Sequence, residues 1–98
     1  MKYSLHLQPD AITDLDRLRK YDATQILDGI EEHLSYQPAM ESRSRIKRLR
    51  GKQPADYRLM IGDYRVFYMI VGKTVKILRV LSKEQTKAFY LENKGEPT

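Results

Sequence analysis

Apolar and polar residues alternate over residues 3–8, which is the period of a strand with one buried face. The apolar positions then recur every three or four residues, and over residues 10–35 this spacing predicts two helices that form a hairpin. Asp10 is placed to cap the first helix, and Asp22 opens a capping-box pattern for the second. The first third of the chain is therefore predicted to be a strand followed by a helical hairpin.

A period of two returns after a loop predicted at residues 37–44, which contains proline and two serines. Four strands are predicted, at residues 45–50, 56–61, 64–71 and 74–81. The two-residue connections Gly62–Asp63 and Gly72–Lys73 are typical of tight hairpins, so the last three strands should form an antiparallel meander. Residues 83–94 are predicted to form a short helix.

This order predicts an α+β fold, β-α-α-β-β-β-β with a short C-terminal helix. The N-terminal strand and the helical hairpin are expected to pack on one face of a twisted antiparallel sheet. A chain of 98 residues can bury one modest core. We therefore expect residues 1–94 to form a single domain and residues 95–98 a frayed tail.

Composition removes several classes of protein. The absence of cysteine excludes a disulfide framework, a thiolate zinc site and a cysteine nucleophile, and it is compatible with a reducing cytoplasm. With 41% hydrophobic and 32% charged residues the chain has the composition of a globular protein. Its apolar runs are far too short to span a bilayer, and no signal-peptide pattern is seen at the N-terminus. A cytoplasmic protein without membrane contact is expected.

The net charge of +5 is unevenly distributed. Residues 1–42 contain four Lys or Arg against eight Asp or Glu, whereas residues 43–98 contain fourteen against five. The helical hairpin is expected to expose a solvated acidic face made of Asp14, Asp16, Asp28, Glu31 and Glu32. The basic excess of the second half indicates a surface for a polyanion.

Alternation assigns faces to the predicted strands. The side chains expected to face the helices are Leu49, Leu59, Ile61, Val66 and Tyr68. The opposite face then collects Arg48, Arg50, Arg58 and Arg65, and Lys83 can join them at the end of the last strand. A solvated polar face is the alternative, but four arginines with few acids between them repel one another and favour an anionic ligand. The core or its rim is the expected place of Tyr57, Tyr64 and Tyr68.

The sequence contains no H-E-x-x-H, P-loop or G-x-S-x-G motif. His6 and His33 are both expected on the surface, which argues against a two-histidine ribonuclease. The acids are scattered, so neither a metal site nor a cofactor is expected. RNA can be cleaved by its own 2′-OH without a metal. That reaction needs a base near the hydroxyl, cations for the phosphate and an acid for the departing 5′ oxygen.

Four residues of the basic half suit these roles. Arg58 and Arg65 can hold phosphate oxygens in bidentate fashion. Lys83, among neighbouring cations, can donate a proton to the departing oxygen. Tyr90 can act as the base or stack on an RNA base.

Three segments of the second half carry a resemblance to a known family: residues 47–51 (K-R-L-R-G), 56–68 (D-Y-R-L-M-I-G-D-Y-R-V-F-Y) and 75–83 (V-K-I-L-R-V-L-S-K). They resemble the RelE/ParE toxin superfamily, whose usual pattern is a K-L-x-G turn, a Y-R-x-R-x-G-x-Y-R-x-x-Y hairpin and a strand ending in V-x-H-R. Residues 3–35 also fit the family's strand and helical hairpin, so the resemblance covers essentially the whole chain.

The resemblance implies the RelE-like microbial RNase fold and the toxin half of a type II toxin–antitoxin pair, usually a ribosome-dependent mRNA endonuclease that inhibits translation. By this resemblance, Arg58 matches a phosphate-binding position and Arg65 the arginine that stabilises the transition state. Lys83 falls where many members have an arginine proposed as general acid. Tyr90 lies near the family's C-terminal tyrosine, with Phe89 as the alternative for that position.

Three positions depart from the family pattern. Met60 replaces a second basic residue, Ser82 replaces a histidine, and Lys83 replaces the arginine that follows it. A lysine can donate a proton but cannot reproduce the bidentate grip of an arginine. The other residues expected to contact RNA phosphates are Lys47, Arg48, Arg50 and Arg79.

The resemblance also implies a small RelB-like antitoxin that covers apolar grooves and blocks the cationic site, because a free ribonuclease would kill its host. The ribosome and mRNA would be the other partners, and operator DNA would be contacted only through the antitoxin. Two alternatives share the fold: a ParE-like inhibitor of DNA gyrase, and a catalytically impaired homologue that acts as a co-repressor. Arg65 with Lys83 and Tyr90 favours the ribonuclease.

Overall fold

The computed structural model describes residues 2–51 and 54–92, with side chains up to residue 88. Its elements in chain order are β1 (Ser4–Leu7), α1 (Pro9–Asp16), α2 (Lys20–Leu34), β2 (Ile46–Arg48), β3 (Tyr57–Ile61), β4 (Tyr64–Val71), β5 (Thr74–Ser82) and α3 (Lys83–Glu92). The predicted α+β element order is confirmed, and the predicted tail at residues 95–98 lies outside the described residues. Among the described residues, no helix combines the length and the apolar character needed to cross a bilayer.

The five strands form one sheet in the order β1-β5-β4-β3-β2. The predicted antiparallel meander of β3, β4 and β5 is confirmed, and Gly62 and Gly72 supply the positive φ angles of its two turns, 56° and 60°. β1 pairs with β5 in parallel, so the sheet is mixed, and the N-terminal strand is an edge strand of this sheet instead of packing on its face as expected. The helical hairpin carries the chain to the far edge of the sheet, and the strand that returns beside β1 runs in the same direction as β1.

Both predicted helix caps are wrong. α1 begins at Pro9, with Gln8 as its N-cap and no side-chain capping bond, so Asp10 lies in the first turn. A proline fits the first helical position because its φ is already helical and it has no N–H to satisfy. α2 likewise begins two residues before Asp22, without a side-chain cap. The negative charge of each aspartate still stabilises its helix, because it lies near the positive end of the helix dipole.

The main core lies between the sheet and the helices α1 and α2. Its buried residues are Ala11, Leu15, Ile26, Ile30, Leu34, Ile46, Leu59, Val66, Tyr68, Val75, Ile77 and Val80. The predicted inward positions Leu59 and Val66 are fully buried, and Ile61 packs against this core. α2 approaches β3 so closely at Gly29 that an added Cβ would lie 2.6 Å from Ile61 Cδ1.

A second, smaller apolar cluster lies on the opposite, outer face of the sheet. Ala55, Phe67 and Leu81 are buried in it, with Leu49 and Leu78 packed against them. The expectation that Leu49 faces the helices is wrong. Ile46 takes the core position in β2, and Leu49, three residues later, falls on the other side of the sheet.

The tyrosines of β3 and β4 belong to the main core or its rim, as predicted. Tyr68 is fully buried, and its hydroxyl donates a hydrogen bond of 2.6 Å to the Pro38 carbonyl. Its ring stacks on Tyr57 with centroids 5.4 Å apart, and Tyr64 packs at the rim. Burial raises the pKa of the Tyr68 hydroxyl well above its usual value, with a smaller contribution from Tyr57. The phenol therefore remains a hydrogen-bond donor that ties residue 38 to the sheet.

Tyr68→Phe should lower the free energy of unfolding by about 1–3 kcal/mol, because the Pro38 carbonyl would lose its buried donor. Denaturant unfolding measures the change. Tyr64→Phe, at a half-buried position of the same strand, is the matched control and should cost less. Equal costs for the two variants would show that the Tyr68 hydrogen bond is not a particular source of stability.

Candidate nucleic-acid interface

Three cations from adjacent strands lie on the outer face of the sheet. Lys47 of β2 is directly opposite Arg58 of β3, and Arg58 is directly opposite Phe67 of β4. Arg65 precedes Phe67 by two residues and therefore shares its face. Arg65 is thus a diagonal neighbour of Arg58, a relation that typically places the two Cα atoms about 7–8 Å apart. We call Lys47, Arg58 and Arg65 the cationic cluster.

The two arginines of the cluster lie opposite residues of the small apolar cluster of the outer face. Arg58 and Arg65 are half-buried, whereas Lys47 is exposed. Phe67, opposite Arg58, is fully buried, and Leu81, opposite Arg65, is nearly so. Arginine methylenes can pack on such apolar surface.

The positions of Lys47 and Arg48 correct the sequence-based assignment. Arg48 was expected on the outer face, but it is directly opposite Tyr57, which packs against the helix-side core. Directly opposed residues share a face, so Arg48 lies on the helix side and Lys47 takes the outer position. Arg50 is exposed and lies beyond the end of β2.

None of the five described strands contains an Asp or Glu residue. The charge asymmetry of the sequence therefore separates the acidic helical hairpin from a basic sheet. Asp16, Asp28, Glu31 and Glu32 are exposed on that hairpin, as predicted. Like charges on neighbouring strands repel one another, and a bound polyanion relieves the repulsion.

Lys83 lies at the end of the sheet that carries Arg65. It is exposed and is the first residue of α3, and its backbone N–H donates to the Asp63 carbonyl at 3.1 Å. Asp63 belongs to the β3–β4 turn, two residues before Arg65. Tyr90 and its alternative Phe89 lie in α3, and their side chains fall outside the described part of the structure.

Ser82 caps α3 through a reciprocal pair of hydrogen bonds. The Gln85 N–H donates to Ser82 Oγ at 3.2 Å, and the Ser82 N–H donates to Gln85 Oε1 at 2.9 Å. This is a capping box, and its signature, Ser-x-x-Gln directly after a strand, was available in the sequence but was missed. The departure from histidine at position 82 therefore has a structural role, because it fixes where the helix that begins with Lys83 starts.

Asp14 and Arg79 form an ion pair that sequence reasoning did not anticipate. Asp14 was expected in the solvated acidic face, but it is only 8% exposed. Its Oδ2 accepts from Arg79 Nε at 2.8 Å and from the Val80 N–H at 2.9 Å, and its Oδ1 accepts from Arg79 Nη2 at 3.0 Å. Because 65 residues separate the partners, no local pattern indicates the pair. Arg79 is held by Asp14 and is not part of the cationic cluster.

The histidines and acids of the described residues do not form a metal site. In that part of the chain no three His, Asp or Glu side chains are grouped to hold an ion. His6 is exposed, as predicted, and the half-buried His33 has its Nε2 4.0 Å from Glu32 Oε2. The charged groups of the cationic cluster on the outer face are arginine and lysine, which bind anions.

Residues 5–86 match the family model described as ParE toxin of type II toxin-antitoxin system, parDE. No curated protein matches the sequence significantly.

Several solved structures share the fold. The toxin–antitoxin complex RelBE2 from Mycobacterium tuberculosis has a chain that is 26% identical, with a TM-score of 0.70 over 84% of this chain and 99% of that one. The archaeal RelE–RelB complex from Pyrococcus horikoshii has a chain 28% identical, with a TM-score of 0.63 over 85% and 97% of the two chains. A doubly substituted E. coli toxin RelE in the free state is 22% identical, with a TM-score of 0.67 and full coverage of both chains.

Ser82→Ala should destabilise the first turn of α3 by about 1 kcal/mol, because the Gln85 N–H loses its acceptor. The expected result is faster amide hydrogen exchange at Gln85. Ser44→Ala, in an exposed loop, is the matched control and should leave that exchange unchanged. Identical exchange in both variants would mean that the capping box does not hold the start of α3.

Proposed function

Because the chain belongs to the ParE toxin family of type II toxin–antitoxin systems, within the RelE/ParE superfamily, we propose that it inhibits translation by cutting mRNA on the ribosome. The family membership rests on a match to residues 5–86, most of the chain. Ribosome-dependent mRNA cleavage is our proposal. A cytoplasmic location is proposed with it, because ribosomes are in the cytoplasm.

The observation that carries this proposal is the cationic cluster. Lys47, Arg58 and Arg65 come from three neighbouring strands that contain no acidic residue, and they share one face. A guanidinium holds phosphate oxygens through two parallel hydrogen bonds, which a lysine cannot do. Two arginines one diagonal step apart can therefore hold the phosphodiester that is cut and the phosphate next to it.

In the proposed reaction, the RNA 2′-OH attacks its own phosphodiester. Arg58 would bind the phosphate in the ground state, and Arg65 would stabilise the negative charge that grows on the oxygens in the transition state. Met60, where relatives often carry a second cation, is directly opposite Arg65. Arg65 thus has an apolar cross-strand neighbour on one side and Leu81 on the other.

Proton transfer is assigned to the C-terminal part of the chain. Lys83, exposed at the start of α3 beside the β3–β4 turn, would give its proton to the departing 5′ oxygen. Tyr90 would accept the proton of the 2′-OH or stack on a base, and Phe89 is the alternative occupant of the family's tyrosine position. Phosphate contacts by Arg50 complete the proposed site.

An antitoxin partner is proposed on the basis of the structural neighbours described above, two of which are toxin–antitoxin complexes. The helical hairpin leaves large apolar side chains exposed, among them Ile12, Tyr21 and Leu27. An amphipathic segment of the antitoxin would cover such positions, and an acidic segment would block the cationic cluster. Contact with operator DNA would then be made through the antitoxin.

Inhibition of DNA gyrase is the second candidate, because the matching family model is that of ParE toxins. In that case the cationic cluster would bind a protein or DNA surface without chemistry of its own. An inactive homologue that acts as a co-repressor is the third. The three candidates differ in what happens to mRNA after induction.

Arg65→Ala should abolish mRNA cleavage and relieve growth inhibition while the protein remains folded, because it removes the transition-state cation. Removing one such electrostatic group typically lowers the rate about 100–1000-fold. Primer extension on mRNA after induction measures the cleavage, and Arg17→Ala, in the acidic half, is the control and should cut like wild type. Intact mRNA with gyrase-linked DNA breaks and an SOS response in wild-type cells would refute the ribonuclease and support the gyrase inhibitor.

The logarithm of the affinity for single-stranded RNA should fall linearly with the logarithm of the salt concentration, with a slope of about −0.7 for each phosphate contact. Lys47→Ala should reduce the steepness by about one such contact. Arg48→Ala, which alters the adjacent cation on the opposite face, should leave the slope unchanged. If both variants change the slope equally, RNA is not bound by the outer face alone.

A further inference from the structure

β5 contains one residue more than its antiparallel partner can pair. Phe67 of β4 is opposite Arg79, but the next residue, Tyr68, is opposite Ile77. Leu78 is therefore an extra residue, which makes a β-bulge at this point of the strand. Bulges are frequent beside active sites, where they change the direction of side chains.

The bulge reverses which residues of β5 face the helices. Ile77 and Val80 both pack into the helix-side core although they are three residues apart. As a result Leu81 lies on the outer face, directly opposite Arg65. Two residues later the Lys83 N–H bonds to the β3–β4 turn. With regular alternation, Val80 would point outward and Leu81 would point into the core.

Asp14 holds the residues that follow the bulge. β1 pairs with β5 only as far as Ile77, so the next residues of β5 have no strand on that edge. α1 follows β1 after a single residue and brings Asp14 to this edge, where the carboxylate accepts from the Arg79 guanidinium and the Val80 N–H. One buried carboxylate therefore binds both the side chain and the backbone of the bulged segment.

We propose that Asp14 is a positioning residue for the cationic cluster. By holding the bulge it sets the register of β4 and β5, so that Leu81 lies opposite Arg65 and α3 begins with Lys83 beside the β3–β4 turn. The contacts of Asp14 with Arg79 and Val80 support its role in the register, and the effect of that register on cleavage rests on the proposed function. Asp14 would act through Arg79 and the backbone, without contact with RNA.

The register can be tested independently of any reaction by amide hydrogen exchange on the full chain. Asp14→Ala should reduce protection about 10-fold or more at the Val80 and Lys83 amides. Asp14→Asn should have a smaller effect at Val80, because its amide oxygen can still accept. Asp16→Asn, an exposed acid two residues further along α1, should have no effect. Ile30→Val measures the protection lost through lower global stability alone.

The proposal would be overturned if the Lys83 amide were as well protected in Asp14→Ala as in Ile30→Val, because the register would then be held without Asp14.

The rate of RNA cleavage gives the second test. At a temperature where all variants are folded, Asp14→Ala should cut ribosome-bound mRNA about 100-fold more slowly than wild type at saturation. Arg79→Lys should be intermediate, and Asp16→Asn should match wild type.

The two tests separate the proposals. A cleavage rate in Asp14→Ala no lower than that of Ile30→Val would assign Asp14 a purely stabilising role and overturn the positioning role. Wild-type protein that leaves mRNA intact would instead refute the proposed function. The exchange at Lys83 would then decide by itself whether Asp14 sets the register.

Discussion

Every second residue of β3 and β4 is buried in the helix-side core or packs against it, and this burial determines which side chains lie on the outer face. Burial of a side chain such as Leu59 or Val66 stabilises the fold by about 1.5–3 kcal/mol. A shift of one residue in register would turn Arg58 and Arg65 into that core and would expose the apolar set. The core therefore holds both arginines on the opposite face, whatever their own mutual repulsion costs.

Charge separation between the layers follows from the same arrangement. The acids of the described residues lie on the helices and in loops, and the five described strands contain none, so the two layers of the fold differ in sign. Asp14 is the exception, because it leaves the acidic face and binds the edge of β5 through Arg79 and Val80. The small apolar cluster around Phe67 lies on the same face as the arginines, so the outer face combines positive charge with buried apolar side chains.

Local patterns predicted most elements but not all of their details. The meander was predictable because Gly62 and Gly72 allow the positive φ angles that tight turns require. The predicted helix starts were wrong because both helices begin without a side-chain cap, α1 at Pro9 and α2 at Lys20. In the short strand β2, the faces were assigned on the assumption that Leu49 points toward the helices, which placed Arg48 on the outer face. The pairing with β3 shows instead that Lys47 is opposite Arg58 and lies on that face.

The sequence by itself determined the element order, the β3–β4 hairpin and the common face of Arg58 and Arg65. These depend on side-chain period and turn sterics, which act over a few residues. Only the tertiary structure decided the parallel pairing of β1 with β5, the bulge at Leu78 and the burial of Asp14. Each of these requires groups far apart in the chain to meet. Packing brings them together, and a carboxylate removed from water must then find donors wherever the fold supplies them.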